Sequence, residues 1–255
     1  MSGGSGTVRV DRAGARATVE WDRPPVNVFD IALLRDVATA LRSPPVRSAH
    51  VVVLRGAHRR WSAGFDIQDH FAERVRPMFG AFRELLRALW ELPVPTLGQV
   101  EGPCLGGGLE LLSACDLGVA AASATFGQPE IRLGVFPTLA AAEAPRTLGP
   151  KRAAELLLLG ETVTAERAET VGLVSRVVPD PTVDLEVART ADRIAGLRRE
   201  ALVLLKAAMR EEPADRWARL DRSERIYLEE LLVLPAAEEG LRAFLEKRAP
   251  VWPAP

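Results

Sequence analysis

The stretch that decides the fold is GPCLGGGLE at residues 102–110, in which three consecutive glycines precede an apolar helical segment. Glycine has no Cβ, so the backbone N–H groups of such a turn are left uncovered. The first N–H groups of a helix also have no partner within the helix, and they carry the positive end of its dipole. The segment therefore predicts a turn that can hold an oxyanion, with the Glu110 carboxylate beside it for acid/base chemistry.

A second carboxylate, Glu130, ends another glycine-containing turn, FGQPE at residues 126–130. A third turn, RWSAGFDI at residues 60–67, follows the strand-like run VVVLRG at residues 51–56. Glycine triplets also occur where a helix packs closely on a strand, and single glutamates are commonly solvated, so spacing alone leaves a structural interpretation open. The combination of uncovered N–H groups with two carboxylates favours an enzyme that stabilises an enolate.

The three motifs together resemble the crotonase (enoyl-CoA hydratase/isomerase) superfamily, whose pattern is F-x-A-G-x-D, then G-x-x-x-G-G-G-x-E, then G-x-P-E. The corresponding segments here are WSAGFD, GPCLGGGLE and GQPE, and the resemblance runs from about Val8 to Arg248. It implies an α/β fold with a crotonase-like spiral core of ββα turns over residues 1–193. It also implies a C-terminal helical region, residues 194–255, that joins chains into trimers or hexamers.

The hydrophobic pattern predicts that strands and helices alternate in the first part of the chain, which implies parallel crossovers and an α/β core. Beyond Arg146 the pattern is mostly helical, with one strand-like run at residues 173–178. The predicted helices of this second part span residues 148–159, 164–171, 184–194, 200–210, 215–234 and 236–247. The earlier predicted elements are strands at 7–12, 16–21, 51–54, 96–100 and 117–121, and helices at 30–41, at 71–92 and from the glycines to Ser113.

The resemblance implies that an acyl thioester of coenzyme A binds with its carbonyl oxygen between two backbone N–H groups. By position in the motifs, these oxyanion-hole donors belong to Phe65 and Gly107, while Glu110 and Glu130 match the two catalytic glutamates of the family. Hydration of a conjugated double bond needs a base for the water and an acid for the α-carbon. We expect Glu110 to activate water and Glu130 to protonate the α-carbon, with apolar surroundings raising the pKa of at least one of them.

The same resemblance implies CoA contacts from Ala63, Phe65, Phe244 and Lys247. The Ala63 carbonyl would face the adenine amino group, although a small residue in a tight turn explains Ala63 equally well. Phe244 and Lys247 match a C-terminal stretch that reaches CoA from a neighbouring subunit. The basic residue that hydratases carry in the first loop is absent, because PPVN stands at residues 24–27.

Two segments point to an unusual acyl group. After Glu130, the glycine-rich turn of typical hydratases is replaced by GVFPTLAAAEAPRTL at residues 134–148, so the pocket there must differ in shape. AGFDIQDH at residues 63–70 is similar to a motif of cyclohexadienecarbonyl-CoA hydratases, which favours a cyclic dienoyl-CoA. We predict that Asp66 caps a helix or turn and that His70 is structural. Glu143 is open as a third carboxylate, but a solvated position on its helix is the simpler interpretation.

Bulk composition excludes other classes of function. A formal net charge of −1 provides no field for nucleic acid or an anionic membrane surface. Two cysteines cannot build a disulfide framework, and the histidines His50, His58 and His70 lack metal-ligand spacing, so we expect no metal. No apolar run is long enough for a signal region or a membrane span, which predicts a soluble, cytoplasmic protein.

We therefore predict an acyl-CoA hydratase or dehydratase that acts on an α,β-unsaturated acyl-CoA through an enolate. It would use no metal or redox cofactor, since coenzyme A arrives as part of the substrate. An alternative within the fold is an enoyl-CoA isomerase or decarboxylase that acts on an unusual acyl-CoA or acyl-carrier-protein substrate. An alternative from another class is a non-catalytic crotonase-like scaffold or RNA-binding protein, which the lack of a basic stripe disfavours.

Overall fold

The chain folds into nine strands and eleven α-helices within the part that the computed structural model describes, residues 7–210 and 212–253. None of these helices is both long and apolar enough to cross a membrane. The strands are β1 (Thr7–Ala13), β2 (Arg16–Asp22), β3 (Val51–Gly56), β4 (Thr96–Val100), β5 (Pro103–Leu105), β6 (Leu117–Ala121), β7 (Thr125–Gly127), β8 (Thr162–Thr164) and β9 (Arg176–Val178). The helices are α1 (Ile31–Arg42), α2 (Pro44–Arg47), α3 (Ala72–Trp90), α4 (Gly107–Ser113), α5 (Thr138–Thr147), α6 (Pro150–Leu159), α7 (Ala165–Val171), α8 (Val183–Ala195), α9 (Arg199–Met209), α10 (Pro213–Arg225) and α11 (Pro235–Leu245).

The larger of two sheets has six strands in the order β1-β2-β3-β4-β6-β9. The first pair is an antiparallel hairpin, and every later neighbour is parallel. Parallel neighbours need a crossover connection, and helices supply it here, as the alternating pattern predicts. The first four residues of β3 and all residues of β4 are buried, as expected for a sheet covered on both faces.

A second, smaller sheet positions the glycine turn. It consists of β5, β7 and β8, each three residues long, with β5 parallel to β7 and β7 antiparallel to β8. An isolated bridge from Ser62 to Cys104 ties the turn after β3 to this layer, and a second bridge joins Phe65 of the same turn to Phe29. The glycine triplet therefore begins α4 directly beside residues 62–65.

Most of the predicted elements are confirmed with small changes of boundary. Asp30 caps α1, and its side chain accepts a hydrogen bond from the Leu33 N–H at 2.7 Å. The helix predicted at residues 215–234 is helical up to Leu231 but changes its type, because α10 ends at Arg225 and a π-helical turn, Ile226–Leu231, follows. The three strands of the small sheet are missing from the prediction, since three residues are too few to show a period.

The last elements pack back onto the same chain. Helix α10 contacts α5, and α11 contacts two 3₁₀ turns, Ile67–His70 and Pro129–Leu133. A Cβ on Gly240 would lie 2.1 Å from the Leu133 carbonyl oxygen, so α11 approaches the second turn as closely as its backbone allows. The division at residue 194 and the role of the C-terminal region in trimer formation stay predictions.

Candidate active site

Gly106 is required by both its backbone conformation and its surroundings. Its dihedral angles are φ 51° and ψ −129°, which side-chain-bearing residues rarely adopt. A Cβ there would also lie 2.6 Å from Oε1 of Glu130. The Gly106 N–H donates to the Gly127 carbonyl at 2.9 Å, which joins the glycine turn to the β7 end of the second motif. The first glycine of the triplet therefore lets the Glu130 carboxyl approach the beginning of α4.

The other two glycines, Gly107 and Gly108, allow residues 62–65 to pack directly against the beginning of α4. A Cβ on Gly107 would lie 2.4–2.5 Å from three atoms of the Phe65 ring. A Cβ on Gly108 would lie 2.9 Å from the Ser62 side chain. Real Cβ contacts this short essentially do not occur, so each glycine permits a separate close approach. The triplet thus packs α4 against residues 62–65 on one side and against Glu130 on the other.

Two backbone N–H groups at this junction are unused. The Leu105 N–H donates to the Ser62 carbonyl at 3.1 Å, which sets residues 62–65 alongside β5. A Cβ on Gly64 would lie 3.6 Å from the Gly107 nitrogen, so the two chain segments nearly touch. Within the described residues, the N–H groups of Phe65 and Gly107 have no hydrogen-bond partner. The structure therefore brings together the two donors that the sequence predicts.

Glu110 is buried and is held by the N-terminus of another helix. Its side chain is 2% exposed, and Oε1 accepts hydrogen bonds from the N–H groups of Leu139 at 2.7 Å and Ala140 at 3.0 Å, in the first turn of α5. Burial raises the pKa of Glu110 to about 7, against the lowering effect of these two hydrogen bonds, and the charge of Glu224 raises it further. Glu110 can therefore exchange a proton near neutral pH.

Glu130 also holds its proton more strongly than an ordinary glutamate does. It lies in the 3₁₀ turn Pro129–Leu133, and burial of its carboxyl group, together with the charge of Glu110, raises its pKa well above the ordinary value. Although the residue keeps some exposed surface, its carboxyl end is enclosed. When the buried Gln128 amide is oriented with its nitrogen towards Glu130, it lies 3.2 Å from both carboxyl oxygens. Both carboxyl groups therefore hold a proton more readily than a solvated glutamate, which suits groups that exchange protons near neutral pH.

Aromatic side chains pack against one another on the segments that adjoin the glycine turn. The Phe65 and Phe82 rings are 4.8 Å apart between centroids, and Tyr227 packs edge-on against Phe79 at 5.2 Å and Phe136 at 5.3 Å. Tyr227 is 1% exposed. Neither Tyr227 nor Gln128 was identified as a site residue from the sequence. Gln128 occupies the variable position of G-x-P-E, and Tyr227 lies in a remote helical segment that carries no motif.

Residues that follow Phe65 shape the turn. Asp66 caps the 3₁₀ turn Ile67–His70 by accepting from the Gln68 N–H at 3.0 Å, which confirms the capping prediction. The buried His70 ring lies 3.0 Å from the Asp66 carbonyl through Nδ1, and burial lowers its pKa. These contacts agree with the structural role predicted for His70.

The prediction that Glu143 is a solvated residue is wrong. Its side chain is 14% exposed and accepts hydrogen bonds from Arg219 of α10 at 3.0 and 2.8 Å. This ion pair between α5 and α10 compensates the carboxylate charge. Glu143 therefore connects α5 to α10 through an ion pair, whereas the structure gives Glu110 and Glu130 no ion pair within the described residues.

The predicted CoA contacts are distributed over two regions of the chain. Ala63 lies in the turn beside Phe65, and its N–H donates to the Val26 carbonyl at 3.0 Å. Phe244, at the end of α11, is 54% exposed, and Lys247 follows it with a left-handed φ of 54°. Since one chain is described, a contact of Phe244 or Lys247 with CoA on a neighbouring subunit stays a prediction.

A cavity of about 370 Å³ adjoins the acid pair on the Glu110 side. Glu110, Gln128, Leu139 and Ala140 form part of its wall, which is mostly apolar, whereas Glu130 and Phe65 do not line it. Among residues 7–210 and 212–253, no group of three or more His, Cys, Asp or Glu side chains is arranged to hold a metal ion. The arrangement can bind an apolar group beside the Glu110 carboxyl group.

The sequence profile of the family described as enoyl-CoA hydratase/isomerase matches residues 12–255. The chain is 35% identical to cyclohexa-1,5-dienecarbonyl-CoA hydratase of Thauera aromatica over 99% of both proteins. A crystal structure of an enoyl-CoA hydratase from Mycobacterium avium subsp. paratuberculosis aligns with a TM-score of 0.82 at 26% identity, covering 97% of this chain and 98% of that one. A Magnetospirillum magneticum enoyl-CoA hydratase/carnithine racemase structure aligns with a TM-score of 0.73 at 34% identity, covering 97% and 96%. The crotonase-like α/β fold is thereby confirmed, and the chain belongs to the enoyl-CoA hydratase/isomerase family as an enoyl-CoA hydratase-like enzyme.

Proposed function

We propose that this enzyme adds water to, or removes water from, an α,β-unsaturated acyl-CoA through an enolate. The observation that carries the proposal is the pairing of two enclosed carboxyl groups, Glu110 and Glu130, at a turn with two unused backbone N–H groups. Backbone donors are fixed before the reaction, so negative charge that grows on a thioester oxygen needs little reorganisation. In this proposal the two donors are the backbone N–H groups of Phe65 and Gly107. Because Gly107 begins α4, the positive end of the helix dipole adds to the attraction between its N–H group and the negative oxygen.

The proton affinities support a division of labour between the acids. Near neutral pH Glu110, with a pKa of about 7, is available as a carboxylate, and the raised pKa of Glu130 favours its protonated form compared with an ordinary glutamate. In the hydration direction, Glu110 takes a proton from water while the water oxygen bonds to the β-carbon. The electron pair of the double bond moves towards the thioester oxygen, and Glu130 then delivers its proton to the α-carbon. Dehydration is the same sequence reversed, so either direction uses both acids.

The acyl group is proposed to be cyclic and unsaturated. The similarity to cyclohexa-1,5-dienecarbonyl-CoA hydratase extends over the whole chain. The aromatic side chains around the acids and the apolar cavity beside Glu110 offer surfaces that suit a ring. For the CoA moiety, we propose contacts from Ala63 in the same chain and from Phe244 and Lys247 across a subunit contact.

The test is a screen of acyl-CoA thioesters, including cyclohexa-1,5-dienecarbonyl-CoA and crotonyl-CoA, followed by mass spectrometry for gain or loss of water. On the thioester that reacts, Glu110→Gln and Glu130→Gln should each lower turnover by at least about a hundredfold. The amide keeps the shape of the side chain but cannot exchange the proton, so folding and thioester binding should survive. Glu101→Gln is the matched control, because Glu101 is also buried but pairs with Arg59 and does not line the cavity beside Glu110.

The outcomes separate hydration from the alternatives within the fold. Loss of water addition in both variants supports the two-carboxyl mechanism. If one variant retains full activity, a one-acid isomerase becomes the better assignment. If both variants retain it, the chemistry lies at other residues. Conversion without any change of water content would instead indicate isomerisation or decarboxylation, which the mass of the product distinguishes.

A further inference from the structure

The Tyr227 hydroxyl is a buried polar group that the proposed mechanism does not use. Tyr227 is 1% exposed, and its oxygen has no hydrogen-bond partner within the described residues. A phenol that loses water on folding without gaining a partner destabilises the folded chain, so such groups are rare in native structures. Their presence beside reactive groups indicates that a ligand supplies the missing partner.

The Tyr227 ring packs on the chain segment that joins the surroundings of the two acids. The Tyr227 ring packs edge-on against Phe136. Phe136 lies between the 3₁₀ turn that carries Glu130 and helix α5, whose first N–H groups donate to the Glu110 carboxylate. The N–H of Val135, the residue before Phe136, donates to the Glu130 carbonyl at 3.3 Å, and three residues after Phe136 the Leu139 N–H donates to the Glu110 carboxylate. Burial and then the charges of Glu130 and Glu110 raise the pKa of Tyr227, so the phenol keeps its proton and is a donor.

The backbone at Tyr227 departs from the α-helix. Tyr227 lies in the π-helical turn Ile226–Leu231, and its carbonyl accepts from the Leu232 N–H, five residues on, at 3.0 Å. One extra residue in a turn rotates the side chains that follow it, and such turns are frequent at functional sites. Rings on two sides, Phe79 and Phe136, then fix the phenol. Its orientation is therefore set before any ligand binds.

We propose that Tyr227 contacts the substrate directly and donates a hydrogen bond to the oxygen atom that joins or leaves the β-carbon. The inference rests on the proposed hydration or dehydration. Tyr227 keeps its own proton throughout: Glu110 accepts the proton of water, the oxygen bonds to the β-carbon, and Glu130 protonates the α-carbon. The phenol orients the water in one direction and stabilises the departing hydroxyl in the other. No donor for this oxygen is otherwise assigned in the proposed mechanism.

The chemistry makes a specific variant informative. Tyr227→Phe removes one oxygen that has no partner in the protein, so its melting temperature should be equal to or higher than that of the wild type. Turnover should fall at least about tenfold. The binding comparison uses a Glu130→Gln background, in which turnover is blocked. Calorimetry should show that Tyr227→Phe lowers the affinity for 3-hydroxybutyryl-CoA about tenfold. Butyryl-CoA lacks the oxygen, so its affinity should change less than about twofold.

Two controls keep the test independent of folding. Ser223→Ala removes another buried hydroxyl without a partner, four residues earlier in α10, and should leave turnover and both affinities unchanged. Tyr227 is also the single tyrosine of the chain, so labelling with 3-fluorotyrosine yields one ¹⁹F signal. That signal should shift when 3-hydroxybutyryl-CoA, but not butyryl-CoA, is added to the Glu130→Gln protein.

Each result has a defined meaning. Full turnover in Tyr227→Phe, equal weakening of both thioesters, or an unmoved ¹⁹F signal would overturn the role of Tyr227. If the Glu110 and Glu130 variants also remain active, the proposed function itself has failed. If they are inactive while Tyr227→Phe is fully active, the hydration mechanism stands and only the assignment of Tyr227 is wrong.

Discussion

Glu110→Gln should change the way in which stability depends on pH, because the carboxyl group is neutralised more easily in the folded chain than in the unfolded one. Folding encloses Glu110 and raises its pKa from the ordinary 4.5 to about 7. Between these values the folded chain binds more protons than the unfolded chain, so stability falls as pH rises. The contribution of Glu110 is therefore least favourable above pH 7 and disappears below about pH 4.5.

The magnitude follows from the gap between the two pKa values. Each tenfold change in proton affinity corresponds to about 1.4 kcal/mol, so a gap from 4.5 to about 7 corresponds to about 3 kcal/mol. Glutamine cannot ionise, so the variant lacks this pH-dependent loss. Any constant effect of the amide on the Leu139 and Ala140 N–H groups shifts the whole curve without changing its slope. The difference in unfolding free energy between wild type and variant is thus the informative quantity.

The assay is urea unfolding of both proteins at one protein concentration, from pH 4.5 to pH 8. Fluorescence of the buried Trp21 and Trp61 reports the transition. Groups that do not interact with Glu110 cancel in the comparison, whereas the Glu110 charge that raises the pKa of Glu130 adds to the loss in the wild type. We expect the wild type to lose at least about 3 kcal/mol relative to Glu110→Gln as pH rises across this range. A constant difference, or a relative gain by the wild type, would refute the reasoning. Either result would mean that the α5 hydrogen bonds outweigh burial at Glu110.

Three further predictions concern turnover, the glycine turn and assembly. In the wild type, kcat/KM should rise with pH through an apparent pKa of about 7, because the free enzyme needs Glu110 as a carboxylate; an acidic limb that is absent would contradict its role as base. Gly107→Ala should lower kcat at least about tenfold, because the new Cβ would displace the Phe65 ring. Gly80→Ala is the control, since its Cβ would meet nothing within 4 Å, and it should leave kcat unchanged. Equal kinetics for the two variants would contradict this prediction. Sedimentation should show a trimer or hexamer that Leu205→Glu, at a side chain 58% exposed, shifts towards monomer, and a stable wild-type monomer of 27.7 kDa would disprove the assembly prediction.

Sequence reasoning located the parts of this fold that have a long period or a strong local signal. Helix α3 shows its apolar period over five turns, and the Asp30 cap marks the beginning of α1 within one residue. The glycine triplet is readable because only glycine tolerates the φ and ψ of Gly106 and the approach of Glu130. Such signals depend on a few adjacent residues, which a single sequence contains in full.

Features that depend on distant contacts could not be predicted in this way. Strands β5, β7 and β8 are too short for a period, and they exist because they pair with one another. Tyr227 meets the acid pair only after α10 has packed on α5, and its helical surroundings gave no local sign of that contact. The ion pair of Glu143 with Arg219 likewise joins two helices that are far apart in sequence.

The late position of α10 and Tyr227 in the sequence has a consequence for the order in which the enzyme folds. The glycine turn and both acids lie within the first 130 residues of the chain, and N-terminal parts of a polypeptide generally fold first during synthesis. Tyr227, which packs on Phe136 beside them, emerges from the ribosome much later. We therefore expect the acid pair to become fully enclosed only after the residues that follow α5 have packed. The burial that raises both pKa values is then complete only late in biogenesis.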